Sequence, residues 1–346
     1  MAGVLNISPA PIFRPISVQK KLSINNRINR VLSVKPMAQS SDSSNGVSTK
    51  SEPKSSSSFS PPPNFKAPKP KPFTPRSDKI LDILSASLAL IFRLGTGALV
   101  SGYSASFVSK DEVPSDQYAL GIAGFKVKES SNLGPRPEKP IEIYEFERHG
   151  TYGHFFSCPF CRKVREIVAV LDLDVLFYPC PRNGPNFRPK VGQMGGKQQF
   201  PYMVDPNTGV AMYESDAIIK YLVGKYGDGN VPLLLSLGLF TTLTAGFAMI
   251  GRMGKGTSYR PSKLPPKPLE LWAYEPSPFC KVVREVLVEL ELPHILHSCA
   301  RGSPKRQVLY ERVGHFQVPY LEDPNTGVQM FESADIVDYI QETYAL

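Results

Sequence analysis

Acidic residues are missing from the start of this chain. Met1 to Gln39 contains no Asp and no Glu, while Arg14, Lys20, Lys21, Arg27, Arg30 and Lys35 supply positive charge. The stretch also lacks a compact apolar core, which excludes a secretory signal peptide. A basic, acid-free, Ser-bearing beginning has the composition of an organelle transit peptide, and the Met1-Ala2 start points to a chloroplast address, stromal or thylakoid-associated. Cysteine is scarce as well. Five residues, Cys158, Cys161, Cys180, Cys280 and Cys299, are too few and too irregularly placed for a secreted disulfide framework. His149 and His154 lie just upstream of Cys158, but their spacing matches no structural zinc pattern, so no metal is expected. Charge is missing from the body. Of the formal +9, residues 1–77 carry a net +10 and the remainder −1, so no footprint for a phosphate backbone is left and nucleic-acid binding is excluded.

What is present is a repeat. Asp205-Pro206-Asn207-Thr208-Gly209-Val210 returns as Asp323-Pro324-Asn325-Thr326-Gly327-Val328, an offset of 118. Glu214-Ser215 returns as Glu332-Ser333, and Phe200-Pro201-Tyr202 as Val318-Pro319-Tyr320, at the same offset. Upstream, Cys161 and Cys180 match Cys280 and Cys299 at 119, so one residue of slippage falls in the loop between. The chain is a tandem duplication.

Each copy reads alike. Short β-type runs at 141–146 and 269–274 precede the Cys motif. Val164, Ile167, Val168 and Leu171 then mark one face of a helix, as do Val283, Val286, Leu287 and Leu290. Short strands follow at 175–178 and 295–297. The Asp-Pro-Asn-Thr-Gly runs predict hairpins. Ser215 and Ser333 are expected as N-caps of the last helices. The order β-α-β-segment-β-β-α, with a Cys motif at the first strand–helix junction, is that of the thioredoxin fold. Both copies resemble glutaredoxins and the N-terminal, glutathione-binding domain of glutathione transferases. The fold class expected is α/β, two tandem thioredoxin-fold, glutaredoxin-like domains, each preceded by a hydrophobic helical segment. The expected limits are a transit peptide over 1–40, a disordered Ser/Pro-rich spacer over 41–78, an apolar helical segment over 79–108, a first domain over 138–228, a hydrophobic helix over 229–256 and a second domain over 266–346.

Cys158 should stand at a helix N-terminus, where unpaired N–H groups and the helix dipole favour an anion. A free thiol of pKa about 8.5 is only a few per cent thiolate at pH 7, whereas one lowered to about 5 is almost wholly thiolate. Cys158 is therefore the expected nucleophile and Cys161, one turn later, the resolving thiol, with Arg162, Lys163 and Arg165 adding nearby positive charge. The resemblance implies that Pro201 is cis, that the backbone of Phe200 pairs with glutathione, and that Glu214 and Ser215 hold its γ-glutamyl end. The second copy has Ser277 in place of the nucleophile, beside Cys280, yet keeps Val318, Pro319, Glu332 and Ser333. Serine does not ionise at neutral pH and forms no disulfide. That copy reads as a redox-inactive binding or scaffold module. Cys180 and Cys299 read as packing residues, and His149 and His154 as loop residues beside Cys158.

The uncharged segment 229–251 is long enough to span a bilayer, which makes membrane association through it one reading. The alternative is that it and the stretch from Ile80 to Gly102 pack on each other or on the domains. Asp82 and Arg93 make the earlier stretch a poor span, since a mid-bilayer charge costs at least about 2.5 kcal/mol. The leading function is a glutathione-dependent thiol–disulfide oxidoreductase with glutathione as co-substrate and protein or small-molecule disulfides as clients. The alternatives are a non-catalytic glutathione-binding adaptor, or a glutathione transferase or an isomerase like the membrane-associated prostaglandin E synthase. No helical transferase domain follows either copy to support the last.

Overall fold

A computed structural model describes residues 59–146, 158–248, 252 and 254–346. The transit-peptide reading, and the part of the spacer before residue 59, fall outside them.

Among the described residues the first α-helix is α1 (Ile80–Arg93), followed by a small sheet of β1 (Ser104–Val108), β2 (Leu120–Ile122) and β3 (Phe125–Ser130), ordered β1-β3-β2. The first copy follows as β4 (Ile141–Glu145), α2 (Pro159–Val170), β5 (Asp174–Pro179), α3 (Phe187–Gly195), β6 (Tyr202–Asp205), β7 (Val210–Tyr213) and α4 (Ser215–Tyr226). Helices α5 (Leu233–Ser236) and α6 (Leu239–Phe247) lead to the second copy. It comprises β8 (Leu269–Ala273), α7 (Pro278–Glu289), β9 (His294–Ser298), α8 (Lys305–Val313), β10 (Tyr320–Asp323), β11 (Val328–Met330) and α9 (Ser333–Tyr344). This is the tandem thioredoxin-like α/β architecture expected.

Both hairpins form where Asp-Pro-Asn-Thr-Gly placed them. Gly209 (φ 72°) and Gly327 (φ 78°) take the left-handed turn position that a β-carbon would disfavour. Beneath each turn a buried Asp gathers two tyrosines. Asp205 accepts from Tyr221 and Tyr226 at 2.5 and 2.6 Å, and Asp323 from Tyr339 and Tyr344 at 2.6 Å each.

The two copies are fused into one sheet, ordered β11-β10-β8-β9-β5-β4-β6-β7. Within each copy the first two strands run parallel, and β5 and β9 join antiparallel with Leu176 opposite Ile295. Each copy thereby covers the edge that the other would leave open to stray strand pairing. One apolar core runs through both, from Ile141, Val164 and Phe177 to Leu271, Val283 and Ile340.

The apolar segments depart from expectation. The stretch over 229–256 is not one helix, because Gly238 at φ 55° ends α5 and restarts the chain as α6. The segment over 79–108 is helical only to Arg93, after which Gly95 and Gly97 turn it towards β1. No helix among the described residues is long and apolar enough to cross a membrane. The packing is crossed: α1, which precedes the first copy, lies on α7 of the second, and α6, which precedes the second, lies on α2 of the first. Arg93 donates to both oxygens of Glu166 (2.8 and 2.6 Å), and Arg252 reaches Glu285 and Asp82. From residue 59 the spacer is also seated on the second copy, with Phe59 against Tyr344 and Phe65 against Tyr339.

Candidate functional site

Pro159 opens α2 with its ring at the first helical position, where the missing N–H costs nothing. That leaves Cys158 as the N-cap, its Sγ accepting the Cys161 N–H at 3.4 Å. Hydrogen bonding from the Cys161 thiol lowers the pKa of Cys158. Burial opposes this, the N–H groups of Cys161 and Phe160 assist it, and the Glu145 charge works against it. Cys161 is driven well above the ordinary thiol range, first by burial and then by Cys158 itself. The two thiols are thus poised apart, one towards thiolate and one held protonated.

Arg162, Lys163 and Arg165, expected to add positive charge beside Cys158, do not serve that purpose. All three are buried and face carboxylates: Arg162 bonds Glu166 at 3.0 Å, Arg165 bonds Glu145 at 2.8 Å, and Lys163 bonds Asp216. Helix periodicity turns them to the packed interface, where burial of a charge demands a partner.

Phe200-Pro201 and Val318-Pro319 are cis peptides. Phe200 shares a buried cluster with Cys158, Cys161, Cys180, Phe187 and Phe146. Glu214 and Ser215 stand at the start of α4, but the cap differs from expectation. Glu214 occupies the cap at φ 68° and Ser215 is the first helical residue, buried; Glu332 (φ 71°) and Ser333 repeat this. The turn out of β7 thus aims the glutamate rather than the serine at the cap position. Gln199 donates to Glu214 Oε1 at 2.6 Å and ties it to the loop that carries Phe200 ahead of β6. Gln317 does the same for Glu332 at 2.9 Å.

Two pairs were missed from sequence. Gln199 and Gln317 precede the cis-proline dipeptides at the repeat offset, and Arg188 and Arg306 recur at 118. Arg188 donates to the carbonyls of Cys180 and Pro181 and lies over the rings of Phe146 (5.0 Å) and Phe200 (4.9 Å), beside the thiol cluster. Extending the repeat search to polar residues would have found both. His149 and His154 lie outside the described residues. Cys180 and Cys299 are buried, and burial pushes Cys299 up to about 12 and Cys180 well up, as for packed thiols. Among the described residues no three His, Cys, Asp or Glu side chains gather as a metal site.

The second copy repeats the backbone of the site without its nucleophile. Ser277 caps α7, accepting the Cys280 N–H at 3.3 Å, and burial raises Cys280. A cavity of about 650 Å³ opens here, lined by Ser277, Pro319, Glu332 and Arg306 and walled from outside the repeat by Phe73, Leu90 and Leu120. Tyr118 accepts from Arg306 at 2.8 Å and packs its ring at a tilt against Phe316, while the Lys71 N–H donates to Glu332 Oε1 at 2.5 Å.

Two segments, 154–230 and 271–346, match the family model of the glutathione S-transferase N-terminal domain. No curated protein and no solved structure matches the chain. The chain therefore carries two tandem domains similar to the N-terminal domain of glutathione S-transferases, which associates it with glutathione-related redox or transferase chemistry.

Proposed function

We propose that the protein is a glutathione-dependent thiol–disulfide oxidoreductase whose chemistry rests on Cys158. The observation that carries this reading is the opposed poise of two thiols at one helix N-terminus, Cys158 lowered and Cys161 raised, beside the cis Phe200-Pro201 peptide.

The Cys158 thiolate attacks one sulfur of a mixed disulfide. A new disulfide to Cys158 forms, and the leaving thiolate takes a proton from solvent. The bond to Cys158 is then broken by a glutathione thiolate, or by Cys161 once it has lost its proton, which leaves an intramolecular disulfide that two glutathione molecules reduce. Phe200, Glu214 and Ser215 are the residues proposed to hold glutathione, by backbone pairing at the cis-proline and by the carboxylate and helix N-terminus at α4. Arg188 is a further anion-binding group on the same side. In the second copy Val318, Pro319, Glu332 and Ser333 bind without turnover, because Ser277 offers no thiolate and Cys280 has no partner thiol in its motif. The chloroplast address remains part of this proposal on the composition of the first 39 residues.

Glutathione-dependent reduction of a small mixed disulfide, with wild type and Cys158→Ser compared, tests the reading. Turnover confined to the wild type is expected. Equal rates would leave a binding or adaptor role.

A further inference from the structure

Helices α1 and α6 are built inside out. Every exposed residue of α1 is large and apolar: Ile80, Leu81, Leu84, Leu90, Ile91 and Phe92, with Leu81 80% exposed. Its charged residues point the other way. Arg93 is buried on Glu166, and Asp82 accepts from Arg252 at 2.9 Å. Helix α6 repeats the inversion. Leu239, Phe240, Leu243 and Phe247 are exposed, while Thr241, Ala245 and Gly246 are buried against the protein, and Arg93 donates to Thr244 Oγ1 at 2.5 Å. Phe92 and Phe247 meet at 6.0 Å, so the two outward faces form one surface. Water drives large apolar groups inward, and a contiguous exposed patch of them marks an interaction site. Small residues between helices and large apolar ones outside are the pattern suited to a hydrocarbon surround.

We infer that this face is a membrane-contact surface, seated in one leaflet of a bilayer without crossing it. Neither helix is long enough to span. An amphipathic layer lying in the interface needs no such length. The charge around it is complementary to anionic headgroups. Residues 252–268, leaving the patch, contain no acid, and Lys255, Lys263 and Lys267 add positive charge there beyond Arg252 and Arg260, which are held in ion pairs. Lys79 and Lys255 line one hollow beside the start of α1, whose carboxylates Asp82, Glu285 and Glu289 already face Arg252 and Arg260. This surface is independent of the thiol chemistry.

Flotation of the full chain with phosphatidylcholine vesicles, with and without phosphatidylglycerol, tests it. Binding that persists in 0.5 M salt is expected, because burial of apolar area is not screened. Leu84→Asp with Leu239→Asp should weaken that binding by at least about tenfold. Phe107→Asp, an equally exposed change on the small sheet, should leave it intact. Lys79→Gln with Lys255→Gln should reduce binding only to the anionic vesicles at low salt. Binding abolished by salt would assign it to the basic N-terminal segment and overturn the proposal. So would unchanged binding by the Leu84→Asp, Leu239→Asp variant, or a wild type that ignores vesicles and self-associates through this face. All positions changed are surface residues, and unchanged far-ultraviolet circular dichroism separates lost binding from lost fold.

Discussion

The two copies share a backbone and differ in what stands at one helix cap. Cys158 and Ser277 both accept the N–H three residues on, at 3.4 and 3.3 Å, and each sits before a proline that opens the helix. Cis-prolines, capping glutamates, bridging glutamines and ring-stacked arginines are duplicated around them. The helix N-terminus is therefore a common inheritance, and reactivity needs a sulfur on it. The surroundings have diverged in parallel. The second copy has gained the walls of Phe73, Leu90 and Leu120, and Tyr118 and the Lys71 N–H engage two of its polar groups.

The strongest break of the comparison is Cys158→Ser, which makes the first copy like the second. Disulfide reduction should fall by at least about a thousandfold, since a nucleophile is lost rather than weakened. Next in size are the buried carboxylates. Glu166→Ala leaves the buried Arg93 guanidinium without its carboxylate and should cost about 3–5 kcal/mol in urea unfolding. Its counterpart Glu285→Ala should cost less, because Arg252 keeps Asp82. Equal losses would contradict the crossed pairing. A smaller effect is expected from Cys161→Ala. The hydrogen bond from the Cys161 thiol is the largest cause lowering Cys158, so its removal should move the Cys158 titration upward. Since the thiolate is the deprotonated form, the reactive fraction at pH 7 then falls, and alkylation rates measured across pH would read this directly. The smallest effect is that of Gln199→Ala. It frees Glu214 from the loop carrying Phe200 and should raise KM for glutathione by a few-fold with kcat unchanged, as one exposed hydrogen bond is worth about 1 kcal/mol.

The repeat was legible because each copy keeps its local signals: alternating strands, the 3-1-3 apolar spacing of α2 and α7, and turn residues suited to a hairpin. The site was legible where it is a motif, at Cys158-Pro159-Phe160-Cys161 and at the two cis-prolines. What joins distant parts was not. The β5–β9 seam and the crossing of α1 and α6 depend on pairing between segments far apart in sequence, on which local periodicity is silent. Hydropathy also cannot tell an apolar residue facing inward from one facing outward, so Leu81 and Ile83 look alike in sequence although only Ile83 is buried. Arg162, Lys163 and Arg165 were misread for a related reason. Proximity in sequence to Cys158 is not proximity in field, because their helix face turns them to Glu166, Asp216 and Glu145.

Site-resolved alkylation of the full chain across pH tests the asymmetry most directly, with each cysteine followed by mass spectrometry. The account predicts that Cys158 is modified with a midpoint below the ordinary thiol value of about 8.5, while Cys161, Cys180, Cys280 and Cys299 stay unmodified near neutrality. A Cys158 midpoint at or above 8.5, or labelling of Cys280 at the same rate, would contradict it.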